Sequence, residues 1–244
     1  VLEMMNRLNY YPDILHAHDW QAALSVVYLN CLYRSRPWYG TMRTVFTIHN
    51  IEYQGQYDFA ILGDVFALGE DAHALMEYGG CINLMKAAIE CADRVTTVSP
   101  RYAWEIRTPE YAHGLESALE RNAWKLSGIL NGIDTVYYDP AHDPCIAADY
   151  SFQNMEGKTQ DKLALQRETG LPERADAPML AVISRLAAHK GLDLITGCIY
   201  DLVAAHDLQL VILGKGESGF EGFFRELENR FPDKVRALIT YDRD

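Results

Sequence analysis

Seven short runs of apolar and β-branched residues, at 13–18, 44–49, 94–98, 128–130, 179–183, 208–213 and 235–239, recur along the chain with amphipathic stretches among them. The amphipathic segments 21–33, 82–92, 158–169, 192–206 and 220–231 carry the 3.6-residue period of a helix with one buried face. A short buried strand followed by such a helix returns the chain to the same edge of a sheet. The alternation therefore predicts parallel sheets covered by helices, an α/β fold.

Residues 131–157 interrupt the pattern. Asn131, Asp134, Asp139-Pro140, Asp143-Pro144 and Gly157 supply turn formers where periodic apolar positions are sparse. The boundary between two domains, 1–134 and 135–244, is placed there. At 49% hydrophobic and 23% charged residues, the chain has apolar material for two modest cores. A formal net charge of -12 opposes a nucleic-acid or anionic-membrane partner, which would require a surplus of Lys and Arg. No apolar stretch has the length of a membrane span, and the amino end has no leader pattern. Cys31, Cys81, Cys91, Cys145 and Cys198 are odd in number and lack Cys-x-x-Cys spacing, so they read as reduced core thiols of a cytoplasmic protein, or of a plastid protein in a plant.

Polar clusters punctuate the carboxyl ends of the expected strands, where open α/β sheets bind ligands. In the first half these are His16-Ala17-His18-Asp19-Trp20, His49 through Gly55, and Ser99-Pro100-Arg101-Tyr102. His16 and His18 alternate onto one strand face, and with Asp19 they have the chemistry of metal ligands. No third-ligand motif such as His-Glu-x-x-His accompanies them, so bonds to backbone or substrate oxygens are the stronger reading and no metal is assigned. In the second half, Arg185 and Lys190 lie in the loop after the run 179–183, just before Gly191 opens the next helix. A planar guanidinium fork beside a mobile ammonium suits a diphosphate. Gly214-Lys215-Gly216-Glu217 follows the run 208–213 and is a weaker nucleotide signal.

Taken together, 13–20, 47–55, Asn83-Leu84-Met85-Lys86, 92–100, 128–134 and 184–193 resemble the bacterial glycogen synthases and plant starch synthases. The strings are short, but six in order are specific. The resemblance implies the GT-B architecture, two Rossmann-like domains, with the end of the first and the beginning of the second present here. Two segments expected of the family, an amino-terminal Lys-x-Gly-Gly-Leu and a carboxyl-terminal Glu-Pro-x-Gly-Leu, do not occur. With Val1 at one end and a strand-like run just before Asp244 at the other, the chain reads as an internal piece. It departs from the family pattern at His113, usually aromatic, and at His189, usually Gln.

The activity implied is transfer of glucose from ADP-glucose, or UDP-glucose, to the non-reducing end of an α-1,4-glucan with retention of configuration and without a cofactor. By resemblance, His49 serves the glucose hydroxyls and reacting centre and Asp19 lies beside it as a catalytic polar contact. Asn50, Asn131 at the interdomain cleft, Arg185 and Lys190 bind substrate. Lys86 organises the first domain or the acceptor face, or is a helix-surface lysine. A pair of carboxylates about 5 Å apart, the mark of a retaining glycosidase, is not evident. The alternatives at this point are another retaining GT-B transferase, such as a sucrose-synthase-like enzyme, and a non-catalytic sugar-nucleotide or glucan-binding module.

Overall fold

The computed structural model describes residues 1–241; the tail 242–244 of the second expected domain lies outside the described residues. The chain divides into two compact units, Val1–Gly132 and Ile133–Asp244.

In the first unit the strands are β1 (Ile14–His18), β2 (Arg43–Ile48), β3 (Gln56–Tyr57), β4 (Glu77–Tyr78), β5 (Cys81–Asn83), β6 (Arg94–Thr97) and β7 (Leu126–Gly128). The main sheet has the order β1-β2-β6-β7, and every pairing in it is parallel. Its core gathers Phe46, Ile48 and Val95 from the strands, Val26 and Val27 from helix Asp19–Tyr28, and Met85, Ala88 and Ile89 from helix Leu84–Cys91. These side chains are inaccessible to solvent, so unit 1 has a continuous core of its own.

The second unit holds β8 (Met179–Ile183), β9 (Gln209–Leu213) and β10 (Val235–Leu238), parallel in the order β10-β9-β8. Leu210 and Ile212 on one face of β9 pack with Val203, Phe224 and Leu227 from its helices. On the other face, Gln209 meets Gln166 of helix Glu156–Thr169, whose amide donates to its side-chain oxygen at 2.6 Å. A buried polar pair survives there because each amide is further bonded to backbone carbonyls, Arg174 for Gln166 and Pro172 for Gln209.

Several expected elements change on folding. The helix expected over 21–33 starts at Asp19 and ends in a wider π turn, Leu29–Tyr33. The one expected over 192–206 is two, Leu192–Thr196 and Ile199–Ala205, because Cys198 leaves helical geometry between them. The run 82–92 begins as β5 before turning helical. The strand expected at 128–130 lies instead at Leu126–Gly128, against β6. Gly128 is required there, since a Cβ would stand 2.1 Å from the Ser99 carbonyl oxygen. The small antiparallel sheet β3-β5-β4 was not anticipated. The cysteines are all unpaired, but Cys31, Cys145 and Cys198 are exposed rather than in a core. Among the described residues, no helix is long and apolar enough to cross a membrane.

Candidate active site

In unit 1 the carboxyl ends of β1 and β2 bring His18, Asp19, His49 and Asn50 together. Alternation along β1 buries Leu15 and Ala17 and turns His16 and His18 to the other face. Beyond His18 the chain reverses into helix Asp19–Tyr28 with Asp19 at φ +54, left-handed backbone that Asp tolerates better than most residues. This turn aims the carboxylate back across the sheet. Oδ1 of Asp19 accepts from the backbone N–H of His49 at 2.7 Å and from that of Asn50 at 3.4 Å.

The three imidazoles form a column. His16 and His18 have ring centroids 4.2 Å apart, and His18 and His49 5.2 Å. Nδ1 of His18 lies 2.9 Å from Nε2 of His49. Nε2 of His16 lies 2.7 Å from the Thr47 hydroxyl, which is 2.6 Å from that of Thr96, so two buried hydroxyls are satisfied in series. Partial burial, then the neighbouring His18 and His49, hold His16 below the usual imidazole pKa. His16 and His18 are thus spent on Thr47 and on His49. Among the described residues, no group of three or more His, Cys, Asp or Glu is arranged to hold a metal.

Behind the histidines, Asn50 folds its own loop: its side-chain oxygen accepts from the Glu52 N–H at 2.9 Å. The Tyr102 hydroxyl accepts from the N–H of Ile51 at 3.4 Å, and burial pushes its phenol pKa up. Gln54 is buried and donates to the carbonyls of Ile51 and His113. His113, one of the two departures from the family pattern, sits at φ +49 just before Gly114 at φ +87. Gly55 packs under Trp20, where a Cβ would come within 2.7 Å of the indole. The Asn83 side chain caps helix Leu84–Cys91 by accepting from the Lys86 N–H and also donates to Gln54 at 2.7 Å. Lys86 is not a helix-surface lysine. Its ammonium is buried, donates to the carbonyls of Ala74 and Leu75, and pairs with Glu90 at 3.1 Å.

In unit 2 the carboxyl ends of β8, β9 and β10 open onto a cavity of about 200 Å³ lined by Ser184, Arg185, Gly214, Lys215, Thr240 and Tyr241, among others. Two loops are laced beneath it. Leu186 donates its N–H to the Lys215 carbonyl at 3.1 Å, and Glu217 donates its own to the Leu186 carbonyl at 2.8 Å. Gly214 and Gly216 allow this approach: a Cβ on either would lie 1.9 Å from the Ser184 oxygen or 2.2 Å from that of Leu186. Gly-Lys-Gly is therefore first a packing device, and it delivers Lys215 to the cavity beside Arg185. The Gly-x-Gly pattern in the sequence points to this segment but not to its lysine. Arg185 lies 3.3 Å from Nε2 of His189, the second departure from the family pattern. Lys190 ends the 3₁₀ turn Ala188–Lys190, is exposed, and is not among the cavity-lining residues. The helix opened by Gly191 runs only to Thr196. Asn131 is exposed in the segment after β7.

A family model described as the starch synthase catalytic domain matches residues 1–121. Glycogen synthase of Streptococcus agalactiae is 44% identical over 243 residues, and that of Streptococcus mutans 43%; each alignment covers 99% of this chain and 51% of the relative. The catalytic domain of starch synthase IV from Arabidopsis thaliana, solved bound to ADP and acarbose, superposes with a TM-score of 0.89 at 36% identity, covering 99% of this chain and 50% of that one. This chain belongs to the glycogen and starch synthase family. Its two parallel α/β units have the GT-B fold of that family. The chain spans about half the length of the synthases it matches.

Proposed function

We propose that these residues serve a retaining glucosyltransferase that moves glucose from ADP-glucose to the non-reducing end of an α-1,4-glucan. Unit 1 would be the acceptor-side domain and unit 2 the start of the nucleotide-side domain. The observation that carries the reading is the presence of a strand-end site in each unit, a hydrogen-bonded His49 in unit 1 and a cationic cavity at Arg185 in unit 2, in a chain 44% identical to a glycogen synthase.

Breaking the anomeric C–O bond leaves positive charge on the sugar and adds negative charge to the departing diphosphate. Arg185, with Lys215 in the same cavity and Lys190 on the following turn, supplies fixed positive charge for the leaving group. His49 takes the glucosyl hydroxyls near the reacting carbon, with Asp19 and Asn50 holding that strand end and Asn131 contacting substrate. Five unpaired cysteines suit the reducing cytoplasm, where we place the reaction.

The test is incorporation of labelled glucose into glycogen by a synthase of the relatives' full length carrying this sequence. ADP-glucose is expected to outpace UDP-glucose, and excess EDTA to leave the rate unchanged, because protein cations neutralise the diphosphate. No transfer from either donor would overturn the reading. Loss of rate with EDTA, restored by magnesium, would overturn the assignment to Arg185 and the lysines.

A further inference from the structure

His49 is held from two sides, and only one of them is explained by chain geometry. Asp19 fixes its backbone. Its ring is met by His18, with Nδ1 of His18 2.9 Å from Nε2 of His49. Such a contact between two neutral imidazoles needs one proton between the two nitrogens: one ring donates and the other accepts. Two arrangements satisfy this. Either both rings carry their proton on Nε2, so that His49 donates to His18, or both carry it on Nδ1, so that His18 donates to His49. A free neutral imidazole side chain favours the Nε2–H form, and the first arrangement keeps both rings in it.

We propose that His18 is a positioning residue that locks His49 with its proton on Nε2, leaving Nδ1 as the acceptor nitrogen of that ring. The role in catalysis rests on the glucosyltransferase reading above; the lock itself rests on the geometry. His18 is in turn fixed from behind. His16 packs against it, with ring centroids 4.2 Å apart and the planes tilted by 31°, and is itself anchored through Thr47 to Thr96, whose hydroxyls are buried between β1, β2 and β6. The column from Thr96 to His49 therefore spans three adjacent strands of one rigid sheet and ends at the side chain closest to the proposed chemistry. An acceptor at that end suits the reaction. A glucosyl group gaining positive charge makes its hydroxyls better donors, and an Nδ1 lone pair takes such a proton contact without adding a second positive charge beside the anomeric carbon. In metal sites, the partner of a histidine's second nitrogen fixes tautomer and ring orientation in the same way.

The test is two-bond ¹H–¹⁵N spectroscopy of the ring-labelled chain at a pH where the histidines are neutral. The expected spectrum shows His49 protonated on Nε2 alone, with a through-bond N–N coupling to Nδ1 of His18. In His18→Ala the coupling disappears and His49 becomes a tautomer mixture. His18→Asn restores the single form, because the Asn carbonyl oxygen takes the place of Nδ1 as acceptor. In a full-length synthase, His18→Ala is expected to lower kcat about ten- to hundredfold, with donor KM changed less than about threefold, and His18→Asn to recover most of the loss. A thermal melt of each variant separates these effects from unfolding. A His49 protonated on Nδ1, absence of the N–N coupling, or an unchanged kcat in a folded His18→Ala would each overturn the proposal. A wild-type synthase that transfers no glucose, with the coupling present, would overturn the functional reading and leave the lock standing.

Discussion

The Asp19 carboxylate reaches across the ends of β1 and β2 to accept the backbone N–H of His49 at 2.7 Å, and it does so from a residue whose own backbone is left-handed at φ +54. Strain at one strand end is thus coupled to order at the next. Removing the carboxylate loses a charge-assisted bond worth about 1.5–3 kcal/mol, but glycine also relieves the unfavourable φ that alanine retains. Asp19→Gly is therefore expected to be more stable than Asp19→Ala by about 1 kcal/mol, the reverse of the order inside a helix. Urea unfolding of the two variants checks it. An Asp19→Ala at least as stable as Asp19→Gly would show that the left-handed turn is not held.

Gly214 and Gly216 make a second stability test, local to unit 2. A methyl group at either would collide with backbone oxygen 1.9 or 2.2 Å away, so the loops under the Arg185 cavity must separate. Each alanine variant is expected to cost at least about 2 kcal/mol. Gly219, inside helix Ser218–Arg230, would meet nothing within 4 Å, and Gly219→Ala is expected to raise stability by about 0.5–1 kcal/mol. Equal melts for all three variants would contradict the interleaved loops.

Cys91, at the end of helix Leu84–Cys91, has its thiol pKa pushed up to about 12, first by burial and then by Cys31 nearby. The unfolded chain loses that proton earlier, near the ordinary thiol value. Between the two values the native state holds more protons than the unfolded one, and stability falls as pH rises. Its contribution is intact below the unfolded pKa and is lost on approach to the folded one. Stability should decline more steeply from about pH 9 to pH 11 in the parent than in Cys91→Ala, by up to about 1.4 kcal/mol per pH unit. At pH 8, iodoacetamide should label the exposed Cys145 and Cys198 well before Cys91. Parallel stability curves, or Cys91 labelled as fast as Cys145, would refute this environment.

β1, β2, β6, β8, β9 and β10 were legible because each is a run of four to six residues with apolar or β-branched positions that begin or fill it, whereas the two- and three-residue strands β3, β4, β5 and β7 are too short to carry such a pattern. The break between Leu192–Thr196 and Ile199–Ala205 was not, because Gly197 is tolerated inside helices and nothing local marks Cys198 as leaving helical geometry. Helix Pro100–Glu105 was likewise not expected from Ser99-Pro100, although the Ser99 hydroxyl accepts from the Tyr102 N–H at 2.8 Å and Pro100 opens the helix. At the site, the strand-end position of His16, His18 and His49 could be read from the chain, but their pairing could not. It depends on the β1–β2 register, which sets His18 beside Thr47. Lys86 misled for a similar reason. A lysine is ordinarily exposed, and only the approach of Ala74 and Leu75 gives this one buried carbonyls to bond.

Arg185 is where the account is most directly exposed to refutation, since the proposed reaction sets the leaving diphosphate against this residue of the unit 2 cavity. A charge-assisted contact worth about 1.5–3 kcal/mol predicts that Arg185→Ala lowers kcat/KM for ADP-glucose at least about tenfold in a full-length synthase. The thermal melt should not move, because an exposed loop arginine contributes little to the core. ADP affinity should fall with the rate while AMP affinity changes little. An unchanged kcat/KM, or a variant that fails to fold, would contradict the assignment of the diphosphate to this cavity.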